Sequence, residues 1–411
     1  MRKDSFQIFT RITALSHFAV ILLVAAKTSL PAGGQPLCPA RLLDSPGDSG
    51  FTNRVNITLF GYPKTGKTTL FNLLTGAHVE VKAYEDGKRE PNVRACPVPD
   101  ERLDGIAGLY PGKKRVPASF DLTDLVGISF GEVKNSLFLN NLRKADGLVH
   151  VVRAFRDDEI PPLKGRIDPG EDIRLMEDEL VLADLLAADG RLDRLEKDLK
   201  KMKDPEGEKE KELLERLRPR LESGQGLRDV SIAPAEEKLI RSFAFLSLKP
   251  LFHLINLDEK DLRFLAAPGD LFPVGQAGRR TMAFCGKIEN EIADCGDEEK
   301  ALFMAEYGFE EPSAARFYAQ ALAWLDRISF FTVGKDEVRA WTVKVGSPAL
   351  KAAGAIHTDI EKGFIRAEVI SSRALLELGS LQHAKDAGAI RLEGKDYIVQ
   401  DGDVIYFRFA P

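Results

Sequence analysis

The chain has 411 residues, which is too many for one ordinary hydrophobic core, so roughly two or three domains are expected. Hydrophobic residues make up 44% and charged residues 29% of it, as in globular proteins, and the net charge of -5 excludes a protein that coats nucleic acid over its whole surface. Its four cysteines form no C-x-x-C pair, so the sequence suggests neither a disulfide framework nor a zinc site.

The first 52 residues are expected to be an extension, separate from the folded domains. Met1-Arg2-Lys3, followed by the apolar run 18–26, has the outline of a signal peptide, and the run is too short to span a membrane. The stretch 31–50 is rich in proline, glycine and serine, as unstructured linkers are. Because the motif that follows uses cytosolic substrates, we favour a dispensable extension or an upstream start-site artefact over an export signal, and we expect a cytoplasmic protein.

A phosphate-binding loop is predicted between the apolar runs 57–60 and 70–74. It matches G-x-x-x-x-G-K-[ST] and consists of Gly61, Tyr62, Pro63, Lys64, Thr65, Gly66, Lys67, Thr68 and Thr69. The glycines let backbone N–H groups face phosphate oxygens, Lys67 reaches the β and γ phosphates as the catalytic lysine, and the Thr68 hydroxyl is a ligand for Mg²⁺. A glycine turn between a strand and a helix is the simpler alternative, but the complete motif favours nucleotide binding.

The run 116–121 is predicted to be the neighbouring strand, ending in an acid at Asp121. P-loop enzymes hold Mg²⁺ with a carboxylate at the end of that strand, commonly through water, so Asp121 is the second predicted metal residue. The stretch 136–144 is predicted to be a helix, and 148–152 a buried parallel strand. His150 lies inside this strand and is expected to be a satisfied core histidine rather than a catalytic one.

A charged helical hairpin is predicted between residue 171 and about residue 226. Apolar residues recur there every three or four positions, and Pro205-Glu206-Gly207 divides them into two runs. The runs are Leu192, Leu195, Leu199 and Met202, then Leu213 or Leu214, Leu217 and Leu221. Most of the charges are expected to be solvated, although an arm of this kind could also bind a partner.

A base-binding motif is predicted after the helix at about 234–246 and the strand 250–255. P-loop GTPases carry N-K-x-D at this place, and its Asp accepts two hydrogen bonds from guanine. Here the residues are Asn256, Leu257, Asp258 and Glu259. One added methylene in Glu259 moves the carboxylate by about 1.5 Å, which disturbs a bidentate contact to guanine and removes the penalty against adenine. A further base-side loop is expected after a strand that ends near 284–286.

From residue 330 onward, short strands and tight turns predict a small mixed α+β sheet domain of about eighty residues. The predicted strands are 340–345, 363–369, 396–399 and 404–409. Five basic residues could form a basic face, although ordinary solvated charges are the favoured interpretation: Lys344, Lys351, Arg366, Arg391 and Lys395.

Taken together, these motifs resemble the YchF/Obg-like ATPase family. The N-terminal part of the resemblance lies in G-x-P-x-x-G-K-T at 61–68, Glu90-Pro91-Asn92-Val93, Pro97-Val98-Pro99-Asp100 and Asn256-x-x-Glu259. The C-terminal part resembles the TGS domain of that family. It comprises Phe331-Thr332-Val333-Gly334, the run 337–342, the run 353–359, the run 391–397 and Asp401-Gly402-Asp403.

The resemblance runs from about Val55 to the C-terminus and implies an architecture. It implies an α/β P-loop NTPase domain at 53–325 with a helical coiled-coil arm inserted at about 171–232, followed by an α+β ubiquitin-like (β-grasp) TGS domain at 326–411. It also implies ATP and Mg²⁺ as cofactors, with ATP hydrolysed in preference to GTP. The implied partner is the ribosome or ribosomal RNA, with neither membrane nor specific DNA.

The resemblance also implies roles for single residues. In the family pattern Asn256 and Glu259 flank the adenine, with Leu257 between them. Leu125 occupies the place where GTPases put the water-positioning glutamine, as a hydrophobic substitution, and is therefore the second catalytic candidate beside Lys67.

Several residues depart from the family pattern. The family's D-x-A-G corresponds to Asp121-Leu122-Thr123-Asp124, which replaces the glycine facing the γ phosphate by an acid. The family's glycine-rich switch, which follows this motif, corresponds to 127–135, where the glycine-rich sequence is lost. The family's first switch is the segment before Glu90-Pro91-Asn92, in which Lys88 replaces a threonine and Gly87 replaces a cysteine. Within the loop, Lys64 and Thr65 replace Asn-Val. We therefore expect a slow ATPase, with a nucleotide-binding scaffold that lacks turnover and a GTP-preferring GTPase as the alternatives.

Overall fold

The computed structural model describes residues 54–79, 91–127, 136–162, 165–270, 281–309 and 311–410. The expectations for the first 52 residues, for Gly87 and Lys88, and for most of the stretch 127–135 lie outside these residues. The strands are β1 (Val55–Phe60), β2 (Asn92–Pro97), β3 (Lys114–Val116), β4 (Ser119–Asp124), β5 (Gly147–Ala154), β6 (Leu251–Leu257), β7 (Thr281–Phe284), β8 (Arg327–Val333), β9 (Glu337–Lys344), β10 (Phe364–Ser371), β11 (Arg391–Glu393) and β12 (Asp403–Phe409).

The α-helices alternate with these strands in the first part of the chain and lie among them in the last part. They are α1 (Lys67–Thr75), α2 (Glu101–Gly108), α3 (Ser136–Lys144), α4 (Pro169–Leu199), α5 (Pro205–Glu222), α6 (Pro234–Ile240), α7 (Gly286–Asp294), α8 (Asp297–Glu306), α9 (Ser313–Trp324), α10 (Ala349–Ile356), α11 (Thr358–Lys362), α12 (Ser372–Leu378) and α13 (Leu381–Asp386). Among the described helices, none combines the length and the apolar character that crossing a membrane requires.

The first sheet has the strand order β2-β4-β1-β5-β6-β7. All of its neighbouring pairs are parallel except β2 with β4, which is antiparallel. β5 is buried along its whole length because both of its faces are covered: Leu148 packs on the side of α3 and α4, and Val149 on the side of α1 and α9. The parallel strands therefore bring their carboxyl ends to one edge of the sheet, where ligands bind in folds of this class.

The predicted hairpin is present and consists of α4 and α5, whose N-caps are Asp168 and Asp204. Its apolar seam contains most of the predicted leucines, including Leu192, Leu195 and Leu214. The two predicted residues at the end of the first run lie outside this cluster: Leu199 is the last residue of α4, and Met202 lies in the turn with 72% of its surface exposed. The hairpin is joined to the rest of the chain by buried Asp184, whose carboxylate accepts hydrogen bonds from the N–H groups of Leu246 and Ser247 at 2.9 and 2.7 Å.

The second sheet has the strand order β11-β10-β12-β8-β9-β3. Three of the strands predicted after residue 330 are confirmed as β9, β10 and β12, but 396–399 contributes only an isolated bridge between Ile398 and Pro348. β3 precedes this region by more than two hundred residues in the chain and still pairs with β9 in parallel. Leu103 and Ile106 of α2 pack in the same core as Phe331 and Val338, so the segment that connects β2 and β4 of the first sheet is packed into the second sheet.

Candidate phosphate and nucleotide site

The phosphate-binding loop leaves β1 at Phe60 and enters α1 at Lys67, as predicted. Two glycines are required by their surroundings and by positive φ angles of 145° at Gly61 and 95° at Gly66. A Cβ at Gly61 would lie 2.6 Å from the Val151 carbonyl oxygen, and one at Gly66 would lie 2.3 Å from Nδ2 of Asn256. Lys64 adopts a positive φ of 61° without being glycine, so the loop carries backbone strain at this position.

Lys67 is buried, and its ammonium donates a hydrogen bond to the carbonyl oxygen of Tyr62 at 2.7 Å. The Thr65 hydroxyl donates to the same carbonyl at 3.1 Å, so the loop is folded on itself. The Tyr62 ring turns into the hydrophobic cluster beneath the loop, whereas Lys64, Gly66 and Thr69 line an open cleft. Of the predicted loop residues, Tyr62 therefore contributes its backbone to the site and not its ring.

The prediction for Asp121 is wrong. Pro117 separates β3 from β4, so that β4 begins at Ser119 and ends at Asp124, and Asp121 lies in its middle opposite Asn56. Its carboxylate pairs with Arg54 at 3.6 Å, at the far end of β1 from the loop. Asp124 instead ends the strand opposite Leu59, and its Oδ2 accepts a hydrogen bond from Thr68 Oγ1 at 3.0 Å. The acid beside the predicted metal ligand Thr68 is thus Asp124.

The register of β4 also corrects the interpretation of the following motif. Asp124-Leu125-Val126-Gly127 is itself D-x-x-G, three residues later than the register that made Asp124 a substituted glycine. Leu125 does not face the cleft: its side chain is buried with Phe60 and Phe138, and its N–H donates to the Leu59 carbonyl. The structure therefore contradicts a catalytic position for Leu125, because the side chain points into the core.

Asn92 is a site residue that sequence reasoning did not assign. It begins β2, lies opposite Asp124 in the antiparallel pair, and donates from Nδ2 to Asp124 Oδ2 at 3.4 Å. The signal that identifies Asp124 from the sequence is the D-x-x-G at 124–127. The position of Asn92 depends on strand pairing and carries no such local signal.

The base-side motif lies at the same edge of the sheet. Asn256 is buried at the end of β6, donates to the Thr65 carbonyl at 3.2 Å and accepts from the Gly286 N–H at 2.9 Å. It therefore joins the phosphate loop to the predicted further base-side loop. Leu257 is buried in the core beside this junction, and Glu259 forms an ion pair with Lys287 of α7.

A cleft of about 750 Å³ runs from Lys64 and Thr69 to Glu259 and Lys287, with Asn256 between them. It fits a nucleotide in two respects. At one end the glycine cradle, the N-terminus of α1 and two lysines suit phosphates, and at the other end a polar, partly closed pocket suits a base. The Thr68 hydroxyl and the Asp124 carboxylate are oxygen donors of the kind that Mg²⁺ takes. The site can therefore hold a magnesium nucleotide.

Comparisons with known proteins give two family matches within this chain. Residues 56–185 match the family described as 50S ribosome-binding GTPase, and residues 327–410 match the YchF GTPase C-terminal family, described as a protein of unknown function (DUF933).

Individual relatives extend the similarity over nearly the whole chain. The chain is 41% identical to the ribosome-binding ATPase YchF of Haemophilus influenzae, covering 85% of this chain and 98% of that protein. It is 35% identical to the Obg-like ATPase 1 of Caenorhabditis elegans, covering 86% and 92%. Among solved structures, the Schizosaccharomyces pombe YchF GTPase matches with a TM-score of 0.73 at 28% identity, covering 88% of this chain and 99% of that one.

Proposed function

Because this chain belongs to the YchF/Obg-like ATPase family, we propose that it binds ATP with Mg²⁺, hydrolyses it slowly, and couples its nucleotide state to binding of the ribosome. The observation that carries the proposal is the contact of Thr68 with Asp124 beside the buried Lys67. It places a hydroxyl, a carboxylate and an ammonium at the carboxyl edge of the sheet, which is the set that a P-loop enzyme uses on a magnesium-bound phosphate.

Each residue of the set has a separate role. Lys67 neutralises the β and γ phosphates, and the loop N–H groups together with the N-terminus of α1 hold phosphate oxygens. Thr68 and Asp124 hold Mg²⁺, which supplies charge neutralisation at the phosphates when it is bound. Gly127 occupies the position of the family's glycine, which faces the third phosphate. Asp124 therefore does not occupy that position and does not oppose hydrolysis there. No side chain is assigned as the base, and slow turnover is expected.

The base is adenine in this proposal. Asn256 fixes the cleft wall by joining the Thr65 carbonyl to the Gly286 N–H. Glu259 forms an ion pair with Lys287 of α7, and its side chain is one methylene longer than the aspartate of guanine-specific proteins, which displaces its carboxylate by about 1.5 Å from the place that guanine requires. Asn256, Leu257 and Glu259 thus form the base side of the site.

The partner is proposed from the relatives that are named ribosome-binding. In this chain the helical hairpin, taken as a coiled-coil arm, and the second sheet, taken as a ubiquitin-like TGS domain, are the surfaces that would meet the ribosome. Because β3 and α2 follow the first switch in the chain and pack into the second sheet, a change at the nucleotide is transmitted to that sheet.

The test is to measure ATP and GTP affinity together with single-turnover phosphate release on the full chain, with and without ribosomes. We expect Mg²⁺-dependent release from ATP that disappears in Lys67→Ala. If ATP binds but phosphate release stays at background with ribosomes present, the protein is a nucleotide-binding scaffold and not an ATPase. Equal or stronger competition by GTP would overturn the assignment of the base.

A further inference from the structure

Two histidines lie side by side in the sheet beneath the phosphate loop. His150 of β5 pairs with His253 of β6 in the parallel register, and their Nδ1 atoms are 3.3 Å apart. Both side chains are buried. Burial is the largest cause that lowers the pKa of His150 well below its usual value, and the charge of Lys67 acts in the same direction, so the His150 ring is neutral. A neutral imidazole has one N–H and one lone pair, so the tautomer of His150 has to be determined by its neighbours.

The neighbour that determines it lies at the base of the helical hairpin. Oε1 of Glu177 on α4 is 3.7 Å from Nε2 of His253 and 3.5 Å from a guanidinium nitrogen of Arg228. Burial alone would raise the pKa of Glu177, but its contacts with His253 and Arg228 lower it, so the carboxylate is ionised. A carboxylate accepts and cannot donate, so it favours the proton of His253 on Nε2.

The proton of His150 follows from that of His253. A neutral His253 with its proton on Nε2 offers a lone pair at Nδ1. The contact between the two Nδ1 atoms then requires the N–H to belong to His150. His150 therefore keeps a lone pair on Nε2. Among the described residues this nitrogen is buried and has no hydrogen-bond partner.

The lone pair lies beneath the start of the phosphate loop. The His150 ring stacks on Phe60 with 5.3 Å between ring centroids, and its Cδ2, which is bonded to Nε2, is 3.2 Å from the position of a Cβ on Gly61. The Lys67 ammonium donates to the carbonyl of Tyr62, whose ring centroid is 6.5 Å from that of His150, and the charge of Lys67 acts on the His150 ring. A lone pair on Nε2 stabilises this positive charge, whereas an N–H there would oppose it.

We propose that Glu177 acts through His253 to hold His150 in the Nδ1–H tautomer, and that this network couples the base of the helical hairpin to the affinity of the phosphate loop for nucleotide. Glu177 and His253 are positioning residues, since neither lines the cleft. Coupling between two sites is reciprocal, so nucleotide binding also changes the surroundings of the hairpin base. The coupling rests on the proposed nucleotide site, whereas the tautomer does not.

The tautomer is tested on the full wild-type chain by nitrogen-15 NMR of labelled histidines without nucleotide, with His150 and His253 assigned by single substitution. We expect a proton on Nδ1 of His150 and on Nε2 of His253. Glu177→Leu removes the acceptor and shifts His150 towards the Nε2–H form, whereas Glu177→Gln keeps an amide oxygen and preserves the wild-type spectrum. A wild-type His150 with its proton on Nε2 would overturn the proposal and requires no variant to fold.

The coupling is tested by ATP affinity. We expect Glu177→Leu to weaken binding by about fivefold or more. Glu177→Gln should stay within about twofold of wild type, and so should Asp178→Asn, an exposed neighbour whose partner is Arg174 on the hairpin surface. In a His253→Phe background, Glu177→Leu should have no further effect. Equal affinities in Glu177→Leu and Asp178→Asn would refute the coupling, whereas failure of the wild-type chain to bind ATP would refute the proposed function and leave the tautomer result standing.

Discussion

Thr68 Oγ1 donates a hydrogen bond to Asp124 Oδ2 at 3.0 Å and thereby joins the first turn of α1 to the end of β4. The contact sets two oxygen donors side by side next to Lys67. It also distinguishes Asp124 from Asp121, which lies three residues earlier in the same strand. Asp121 forms an ion pair with Arg54, before the start of β1.

The first prediction concerns these two acids. Asp124→Asn should lower the rate of ATP hydrolysis at limiting Mg²⁺ by about tenfold or more, because an amide is a weaker partner than a carboxylate for the water bound to a metal ion. The control is Asp121→Asn, which should turn over ATP at nearly the wild-type rate. Single-turnover phosphate release over a Mg²⁺ titration measures both, and a larger loss in the Asp121 variant would contradict the assignment.

The second prediction concerns the close approach of Asn256 to the phosphate loop. Gly66→Ala should reduce ATP affinity by about tenfold or more, because its Cβ would lie 2.3 Å from Asn256 Nδ2. Gly76→Ala is the matched control: Gly76 has a positive φ of 64° as well, but nothing lies within 4 Å of its Cβ position. Calorimetric titration should show normal ATP affinity in the control. Urea unfolding should show that Gly76→Ala loses only about 1 kcal/mol in its free energy of unfolding.

The third prediction concerns the base. Glu259→Asp should raise the affinity for GTP relative to ATP by about tenfold, because the shorter side chain returns the carboxylate to the position that guanine requires. Lys287→Ala keeps the acid and removes only its ion-pair partner, so it should retain the preference for ATP. Competition of labelled ATP by each nucleotide measures the ratio, and an unchanged ratio in Glu259→Asp would show that another group selects the base.

The fourth prediction concerns the junction between α2 and the second sheet. Arg102 donates to both oxygens of Asp100 and to Asp401 at 2.7 Å, and its guanidinium lies 5.4 Å from the centroid of the Phe331 ring. Arg102→Ala should lower the free energy of unfolding by about 1 kcal/mol, a value kept small because the side chain is a third exposed. Urea unfolding measures it.

Arg373→Ala is the control for this junction, because Arg373 forms a solvent-exposed ion pair with Glu377 within the single helix α12. It should change stability by less than about 0.5 kcal/mol. If the two variants unfold alike, the bridge between α2 and the second sheet contributes no stability of its own.

The sequence by itself determined the phosphate loop and the base motif. A loop of this kind is built within one stretch of chain: glycines at 61 and 66 allow the backbone to turn, and Lys67 and Thr68 follow at fixed distances in the first helical turn. The strand that ends with Asn256 and Leu257, just before Glu259, is marked by its largely apolar sequence. Helical periodicity likewise indicated the hairpin of α4 and α5, because it depends on neighbours three and four residues apart.

The D-x-x-G at 124–127 is a sequence signal for Asp124, but only the tertiary structure shows that Asp124 meets Thr68 while Asp121 pairs with Arg54. Asp121 and Asp124 lie in one strand, and the choice between them was fixed by the pairing of β4 with β1, which sets Asp124 opposite Leu59. The same pairing buried Leu125, and pairing across 103 residues brought His150 to His253. β3 joined a sheet whose other strands lie far along the chain. Register between strands is a property of two distant segments together, so a pattern within one segment does not by itself establish it.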